Sequence, residues 1–257
     1  MLKLSIITIN YNDANGLQKT IESVVTQSFK DYEYIVIDGG SSDGSVEVIK
    51  KYVDKITYWI SENDKGIYNA MNKGIERAKG EYCLFLNSGD FLCNKGVIKD
   101  VFSSNNNTDI IYGNMMIDWG NGKKTKGEMP DIITTEQMYV DTLWHPVSFI
   151  KRSLFEKHGF YNESYKIVAD YDFFFKTIIG NKVSTKHLPI LISEYNVNGL
   201  SSKPENKILE KAERKKVIQS YLFQEEIDAI ENLLQKRLQK ENRNIRTLLK
   251  KYFSFLK

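Results

Sequence analysis

Three short apolar runs, each followed by a polar turn, constrain the fold of this 257-residue chain more than any other feature. The runs cover residues 4–9, 34–37 and 82–86. Apolar runs of this length between turn signals are typical of strands buried in a parallel sheet. In open sheets of alternating strands and helices, ligands bind at the carboxyl ends of the strands. We therefore expect Asn10, Asp38 and Asp90, which lie in the three turns, to meet at one edge of a sheet.

Helices are predicted between these strands. Apolar residues recur at helical spacing over residues 17–29 and 67–78, and a shorter helical pattern follows the glycine turn at 39–44. A further strand is predicted over residues 56–60. Strands that alternate with helices favour a mostly parallel, right-handed, doubly wound α/β sheet with both faces covered.

The pattern becomes irregular after about residue 100. A strand is predicted over residues 110–112 and a helix over 168–179, and we expect this half of the chain to fold over the sheet edge. Beyond Pro204 the chain contains no Gly or Pro and reads as a separate helical segment. Residues 205–257 carry 13 Lys or Arg against 8 Asp or Glu, whereas the net charge of the whole chain is +3. The rest of the chain is therefore slightly acidic, which argues against a nucleic-acid partner.

Composition and cysteine spacing exclude several classes of protein. A chain with 41% hydrophobic and 27% charged residues has the composition of an ordinary globular protein. Cys83 and Cys93 lack metal-ligand spacing, so we expect neither a zinc site nor a disulfide framework. The sequence shows no signal-peptide pattern and no run near the roughly 20 apolar residues of a membrane span. These features predict a cytoplasmic protein.

The glycine turn at residues 39–44 can cradle phosphate, but it has neither the Walker lysine and serine nor a G-x-G-x-x-G pattern. An ATPase and a simple dinucleotide dehydrogenase are therefore disfavoured. Asp38, at the end of its strand, can accept hydrogen bonds from a ribose hydroxyl or a base N–H. The alternative is that Asp38 only forms the turn.

Asp90 is a candidate metal ligand. A carboxylate directly after an apolar strand is costly unless it is exposed, hydrogen-bonded or bound to a cation. A nucleotide diphosphate would supply the remaining oxygen ligands of Mg²⁺ or Mn²⁺. The alternative is again a turn residue. His145 also leaves two interpretations open, a ligand for substrate or metal and a hydrogen-bonding structural residue.

Asp170 is a candidate general base because it begins an aromatic helix in which residues 173–175 are all Phe. We expect these apolar surroundings to raise the pKa of the Asp170 carboxyl and make it a usable base. Asp172 points to another face of the helix and is interpreted as a structural partner of Lys176. Four further aromatic residues can stack on a sugar ring or a base, although most are expected in the core: Trp59, Trp119, Tyr139 and Trp144.

Taken together, these segments resemble the family 2 glycosyltransferases, which are inverting enzymes with the GT-A nucleotide-sugar-binding fold. The likeness covers about residues 2–204. The segments that carry it are residues 5–12, 27–29, 33–44 and 64–74. The resemblance implies one GT-A domain over residues 1–204, with a nucleotide-sugar-binding half at 1–100 and an acceptor-binding and catalytic half at 101–204. A basic helical tail over 205–257 follows.

The resemblance also implies site residues. The donor site would be formed by Thr8, Asn10, Tyr11, Asp38, Asp64, Lys65, Asn72, Ser88 and Gly89. The segment 87–90, Asn-Ser-Gly-Asp, stands where the family has Asp-x-Asp-Asp, so Asp90 takes the position of the ligand to Mn²⁺ or Mg²⁺. Asp170 takes the position of the catalytic base, with Ala169 in place of the family's Glu. His145 and Trp144 would lie on the acceptor side, and residues 199–201 are similar to a late loop that covers the donor phosphates.

The implied function is inverting transfer of a sugar from a nucleotide-diphosphate donor, expected to be a UDP-sugar, to a glycan or lipid-linked saccharide in cell-surface polysaccharide synthesis. One alternative is a non-catalytic nucleotide-sugar-binding or assembly subunit, because the family's acidic residues are missing at Ser88, Gly89 and Ala169. A nucleotidyltransferase is a weaker alternative, since residues 10–16 supply no glycine-rich basic loop.

The tail has a membrane-binding pattern. Apolar residues repeat at helical spacing over residues 245–256, with Arg and Lys around them. A basic amphipathic helix of this kind can lie on an anionic membrane. We expect it to place the protein at the inner face of the plasma membrane, beside a lipid-linked acceptor. The alternative is a helix packed on its own domain or on a partner protomer in a homodimer.

Overall fold

A computed structural model describes residues 2–103, 107–120, 122–197 and 204–254, with side chains described as far as residue 240. Residues 199–201 and the side chains of the apolar pattern at 245–256 lie outside this described part. Nine strands form one sheet within the described residues. They are β1 (Leu4–Asn10), β2 (Tyr32–Asp38), β3 (Tyr58–Ser61), β4 (Tyr82–Phe85), β5 (Phe91–Leu92), β6 (Ile110–Asp118), β7 (Lys124–Gly127), β8 (Ser148–Lys151) and β9 (Thr185–Asn196).

The described helices alternate with the strands in the first half of the chain and cluster after residue 200. They are α1 (Ala14–Val25), α2 (Ser45–Lys51), α3 (Ile67–Arg77), α4 (Val97–Phe102), α5 (Thr135–Val140), α6 (Arg152–His158), α7 (Ala169–Phe174), α8 (Lys207–Tyr221) and α9 (Gln224–Ser254). A π-helical turn over Phe175–Gly180 extends α7, so the predicted helix over 168–179 is present. None of the helices in this part of the chain has an apolar stretch long enough to cross a bilayer.

The sheet order is β3-β2-β1-β4-β8-β6-β9-β5, with β7 paired to β6. The strands β3, β2, β1 and β4 are parallel, as predicted for alternating strands and helices. Their register pairs Asn10 with Asp38, and Asp38 with Ser61. The carboxyl ends of the first two predicted strands therefore meet at one edge, and the fold class is confirmed.

The second half of the sheet mixes strand directions. The strand β8 runs antiparallel to both β4 and β6, whereas β9 runs parallel to β6. A short antiparallel pairing of β5 with β9 brings the residues after Asp90 against Ser193 and Glu194. This half folds over the edge of the parallel sheet, which explains why its sequence lacks a regular alternation.

Both faces of the sheet are covered by apolar side chains. In β1, Ile7 and Ile9 face the layer that contains α3 and α7, whereas Leu4 and Ile6 face the layer that contains α1 and α4. Because successive side chains of a strand point to opposite faces, a strand covered on both sides is apolar throughout. This is the physical origin of the continuous apolar runs in the sequence.

The first part of the C-terminal segment shares the core of the domain. Val217 in α8 and Ile227 in α9 are buried in the same apolar cluster as α7. The Tyr221 hydroxyl of α8 donates to Asp172 Oδ1 at 3.0 Å. Lys176, the predicted partner, acts on Asp172 through its charge, which lowers the pKa of that carboxyl in part against the effect of burial. Asp172 remains a structural residue, but its hydrogen bond anchors the C-terminal helix.

Candidate active site

A cavity of about 1760 Å³ opens at the carboxyl edge of the parallel strands. Nine of the predicted site residues line it: Asn10, Tyr11, Asp64, Ser88, Gly89, Asp90, Trp144, His145 and Asp170. The structure therefore gathers the candidate metal ligand, the candidate base and part of the donor site around one space. Four other predicted residues, Thr8, Asp38, Lys65 and Asn72, are not part of the cavity wall.

Asp38 is fully buried and organises the loop that follows it. Its carboxylate accepts from Asn10 Nδ2 at 2.6 Å, from the Ser61 hydroxyl at 2.6 Å, and from the backbone amide and hydroxyl of Ser41 at 2.9 and 2.6 Å. Burial raises the pKa of Asp38, but these hydrogen bonds outweigh it and the pKa is lowered. A carboxylate with four donors fixes the position of Asn10 and of the glycine turn at the cavity edge.

Thr8 and Asn72 are buried behind the residues that line the cavity. The Thr8 hydroxyl lies 3.0 Å from the Tyr34 hydroxyl, and both residues are fully buried. The Asn72 side chain forms two hydrogen bonds with the backbone of Tyr161, at 2.9 and 3.0 Å, which ties α3 to the second half of the chain. Lys65 is exposed between Asp64 and Gly66, which do line the cavity.

The turn after β4 presents Ser88, Gly89 and Asp90 to the cavity. The Asp90 amide donates to the Asn87 carbonyl at 2.9 Å, and Gly89 adopts a φ of +93°. Only Gly adopts such a backbone readily, so the residue that replaces an acid of the family pattern suits the turn. The Ser88 hydroxyl donates to Asn10 Oδ1 at 2.6 Å and joins the ends of two neighbouring strands.

Asp90 is a buried carboxyl that is 4% exposed. Burial raises its pKa to about 7, although His145 and the backbone amides of Asn196 and Asn87 lower it in part. The structure thus holds an acidic group at the cavity without enough positive charge or hydrogen bonds to stabilise its ionised form.

We predict that Asp90→Asn stabilises the metal-free protein in a pH-dependent way. The folded carboxyl keeps its proton up to a pKa of about 7, whereas the unfolded carboxyl loses it near the ordinary value of 3.8. The unfolded state binds fewer protons between these values, so stability of the native protein falls as pH rises through this window. Thermal unfolding in EDTA should show a larger gain for Asp90→Asn at pH 8 than at pH 5. An equal gain at both pH values would contradict the assigned environment.

Asn87 and Asp90 together fit a divalent cation. The Asn87 Oδ1 atom is buried and has no hydrogen-bond partner among the described residues, and Asp90 lacks a compensating charge. Carboxylate and amide oxygens are the ligand types that Mg²⁺ and Mn²⁺ take, and a bound diphosphate supplies further oxygens. Within the described residues there is no group of three or more acidic, His or Cys side chains able to hold a metal alone. The arrangement therefore suits a cation that binds together with a nucleotide.

Asp170 lies at the start of α7 with both carboxylate oxygens engaged. The Tyr68 hydroxyl donates to Asp170 Oδ1 at 2.9 Å, and His145 Nδ1 lies 3.1 Å from Asp170 Oδ2. Burial raises the pKa of Asp170, but hydrogen bonding and charge from His145, together with the bond from Tyr68, outweigh it. The pKa is lowered, so the sequence expectation of a raised pKa is wrong. The carboxyl is ionised at neutral pH and can accept a proton.

His145 connects Asp170 with the turn that carries Asp90. Its Nδ1 faces Asp170, and its Nε2 lies 3.2 Å from Asn87 Nδ2. His145 can donate from Nδ1 to Asp170 while its Nε2 meets the Asn87 amide, so both ring nitrogens have a partner. This contact also orients the Asn87 amide so that its Oδ1 is left without a partner. His145 is therefore a positioning residue for both the base and the turn at 87–90.

Sequence reasoning missed several residues of the cavity wall. Tyr68 is one of the buried residues of α3. A buried tyrosine hydroxyl needs a hydrogen-bond partner, and this is the signal that the sequence contains. The sequence analysis assigns no role to Asn87, whose buried Oδ1 is a candidate ligand. The third omission is on α8, where Lys207, Glu210 and Arg214 line the cavity. No local pattern distinguished these residues from the solvent-facing charges of any basic helix.

Comparisons with known proteins find related sequences. The sequence model of glycosyl transferase family 2 matches residues 5–165. An uncharacterized glycosyltransferase of Mycobacterium tuberculosis is 31% identical over 206 residues, which cover 79% of this chain and 78% of that protein. A PGL/p-HBAD biosynthesis glycosyltransferase of Mycobacterium bovis is 27% identical over 206 residues, with 77% and 78% of the two chains covered.

Solved structures share the fold. Staphylococcus aureus TarS in complex with UDP gives a TM-score of 0.67 at 21% identity, covering 89% of this chain and 69% of that one. TarS in complex with UDP-GlcNAc gives 0.63 at 21% identity, with 76% and 58% covered. A mannosyltransferase from Pyrobaculum calidifontis with GDP-Man and Mn²⁺ gives 0.57 at 13% identity, with 76% and 57% covered.

Proposed function

This chain belongs to glycosyl transferase family 2, and we propose that it transfers a sugar from a UDP-sugar to a saccharide hydroxyl with inversion at the anomeric carbon. That it is a glycosyltransferase follows from the family match and from the related glycosyltransferases. The observation that carries the finer proposal is that Asp90 and Asp170 line one cavity, where His145 contacts both Asp170 and Asn87 of the turn that carries Asp90. Asp90 suits a cation bound to the leaving diphosphate, and Asp170 suits the incoming hydroxyl.

Asp170 is proposed as the general base. Its ionised carboxylate accepts the proton of the acceptor hydroxyl as that oxygen bonds to the anomeric carbon. The bond from that carbon to the diphosphate breaks at the same time, on the opposite face of the sugar ring. Tyr68 and His145 hold the carboxylate in place, since each occupies one of its oxygens. Proton transfer to a positioned base of this kind contributes about 10²–10⁴-fold to a rate.

Asn87 and Asp90 are proposed to hold Mn²⁺ or Mg²⁺ with the donor diphosphate. A bound divalent cation neutralises charge that develops on the departing phosphate oxygens. Ser88 and Gly89 lie in the same turn and face the cavity, so we assign them to the diphosphate region. Asn10, Tyr11 and Asp64 line the part of the cavity at the ends of the first strands, and we assign them to the nucleoside.

Thr8, Asp38 and Asn72 remain part of the donor-site proposal as residues that shape it. Asp38 holds Asn10 in place, Thr8 packs beneath the same edge, and Asn72 fixes α3. Lys65 is exposed next to Asp64, where an incoming nucleotide phosphate can approach it. The choice of UDP is supported by the related fold of TarS, which has been solved with UDP and with UDP-GlcNAc.

The proposed function is tested by nucleotide release. The protein is incubated with UDP-, GDP- and dTDP-sugars in the presence of Mn²⁺ or Mg²⁺, and free nucleotide is measured with and without simple saccharide acceptors. We expect release from a UDP-sugar only, dependent on the cation. Release from a GDP-sugar alone would overturn the assigned donor. Saturable binding without release under any condition would favour a sugar-binding subunit.

The acceptor is proposed to be a lipid-linked saccharide, with the C-terminal helix at the membrane. The first turns of α9 pack on the domain. The Tyr139 hydroxyl donates to Glu231 at 2.6 Å, and Arg237 forms an ion pair with Glu136. The basic apolar pattern begins only beyond this docked part. The Mycobacterium bovis relative is named for PGL/p-HBAD biosynthesis, which supports a role in glycan assembly.

Deletion of residues 241–257 is expected to abolish binding to anionic vesicles. The remaining chain keeps the contacts of α9 with the domain, so its melting temperature should be unchanged. Sedimentation with vesicles containing phosphatidylglycerol measures the effect, and neutral phosphatidylcholine vesicles serve as the control because the attraction requires anionic lipid. Equal sedimentation of the full chain and the deletion variant would exclude this segment as the membrane contact.

A further inference from the structure

Glu213 is a buried carboxylate on α8, outside the residues that match the family model. It is 5% exposed and lies one helical turn before Val217, which is fully buried on the same face. The burial of a charge is costly, and an apolar residue would pack here with less desolvation. A carboxylate at this position therefore requires hydrogen-bond donors that compensate for its burial.

Both oxygens of Glu213 accept from backbone amides. Oε1 accepts from the Lys166 amide at 2.9 Å, and Oε2 accepts from the Ile167 amide at 3.0 Å. These amides belong to the segment that leads directly into α7, which begins at Ala169 and carries Asp170. Charge-assisted hydrogen bonds to two successive amides set the position of this segment more firmly than apolar packing does.

The same segment is held from its other side by α3. The Tyr68 hydroxyl shares its one proton between two acceptors, the Ile167 carbonyl at 2.6 Å and Asp170 Oδ1 at 2.9 Å. Ile167 is therefore bound at its amide by Glu213 and at its carbonyl by Tyr68. A displacement of this peptide on the Glu213 side would act on the Tyr68 hydroxyl, which also contacts the Asp170 carboxylate.

Arg214, the next residue of α8, contacts the chain on the other side of Asp170. The Arg214 guanidinium lies over the ring of Tyr171, 4.0 Å from its centroid, and donates to the Asp141 carbonyl at 3.1 Å. Asp141 and Arg214 both line the cavity. Two consecutive residues of one helix thus contact the segment before Asp170 and the residue directly after it.

We infer that Glu213 is a positioning residue for the proposed base, and that α8 is an integral part of the active site rather than a tail. The inference rests on the proposed role of Asp170. Glu213 holds the amides of residues 166 and 167, and these amides place the start of α7 so that Asp170 contacts Tyr68 and His145. A misplacement of about 1 Å at a reacting group can lower a rate by about 10²-fold.

The test compares Glu213→Gln with Val217→Ala. The glutamine keeps the size of the side chain but replaces one acceptor oxygen by an NH₂ group, which opposes a backbone amide. The alanine loosens the same helix face without touching the amides of residues 166 and 167. Melting temperatures of both variants are measured first, and both are studied well below them.

The activity-independent measurement is the NMR signal of the His145 ring. The chain has 3 histidines, so the ring resonances are few, and Asp170→Asn identifies the His145 signal by moving it. We expect Glu213→Gln to shift this signal in the same direction as Asp170→Asn, because the Asp170 carboxylate moves away from His145. Val217→Ala should leave it in place. A shift in Val217→Ala without one in Glu213→Gln, or equal shifts in both variants, would overturn the inference.

Kinetics give the second measurement. We expect Glu213→Gln to lower kcat for UDP release from the donor sugar by about 10-fold or more. The Kd of UDP should be unchanged, because the residues assigned to the nucleoside, Asn10, Tyr11 and Asp64, belong to other segments of the chain. Val217→Ala should keep kcat near the native value. If the native protein releases no nucleotide at all, the proposed function fails, and the His145 signal still decides the role of Glu213.

Discussion

Replacing Asp170 with Asn is expected to lower sugar transfer by about 10²–10⁴-fold, since the amide cannot take the proton of the acceptor hydroxyl. The variant keeps the size of the side chain and an oxygen that can accept from Tyr68. Its NH₂ group meets His145 Nδ1, so the contact to the histidine is the one that changes. The cation and donor sites are built by other residues, and we expect the Kd of UDP to stay within the native range.

Asp172→Asn provides the matched control for this prediction. Asp172 lies on the same helix and is buried, but it accepts from Tyr221 and does not line the cavity. Its replacement should affect stability more than turnover. Transfer is measured at saturating donor with the acceptor that gives the fastest native rate. Native turnover in Asp170→Asn would remove this carboxylate from the mechanism.

The second large effect is expected for Asp90→Asn. Loss of the carboxylate removes the charged ligand of the proposed cation, and stabilisation of transition-state charge by a metal is worth several kcal/mol, or about 10²–10³-fold in rate. We expect turnover to fall by that factor. We also expect Mn²⁺ to lose most of its ability to tighten UDP binding, which titration calorimetry measures with and without the cation.

This variant separates stability from activity. Asp90→Asn should be more stable than the native protein in EDTA at pH 8, because the substitution removes a buried charge. It should be less active with the cation, because it also removes the proposed ligand. Asp118→Asn is the control, since Asp118 lines the same cavity but already accepts from the Gly120 amide and lies 3.9 Å from Lys124 Nζ. Unchanged cation dependence of UDP binding in Asp90→Asn would locate the metal elsewhere.

The turn residues show how far local sequence reaches. The apolar strands and the turn at 87–90 were predictable because strand periodicity and glycine conformation depend on near neighbours. Whether Asp38 faces the cavity was not, because Ser61, a residue of another strand, donates one of the hydrogen bonds to its carboxylate. The side chain turns inward, and Asn10 takes its place at the cavity edge.

The pKa of Asp170 depends on residues far away in the chain. The neighbouring Phe side chains correctly predicted burial, which by itself raises the pKa. Tyr68 lies 102 residues earlier and His145 lies 25 residues earlier, and their hydrogen bonds reverse the direction of the shift. A sequence window around Asp170 contains neither group, so the sign of the shift was open until the tertiary contacts were known.

The sequence by itself determined the α/β fold class and the parallel first half of the sheet, and it proposed Asp90 and Asp170, which both line the cavity. These features depend on side-chain periodicity along single elements, which any short segment of the chain displays. Only the tertiary structure decided that α8 packs against the start of α7 and that Glu213 binds its amides. That docking depends on contacts between residues 46 and 47 positions apart, and helical periodicity alone does not specify which surface a helix covers.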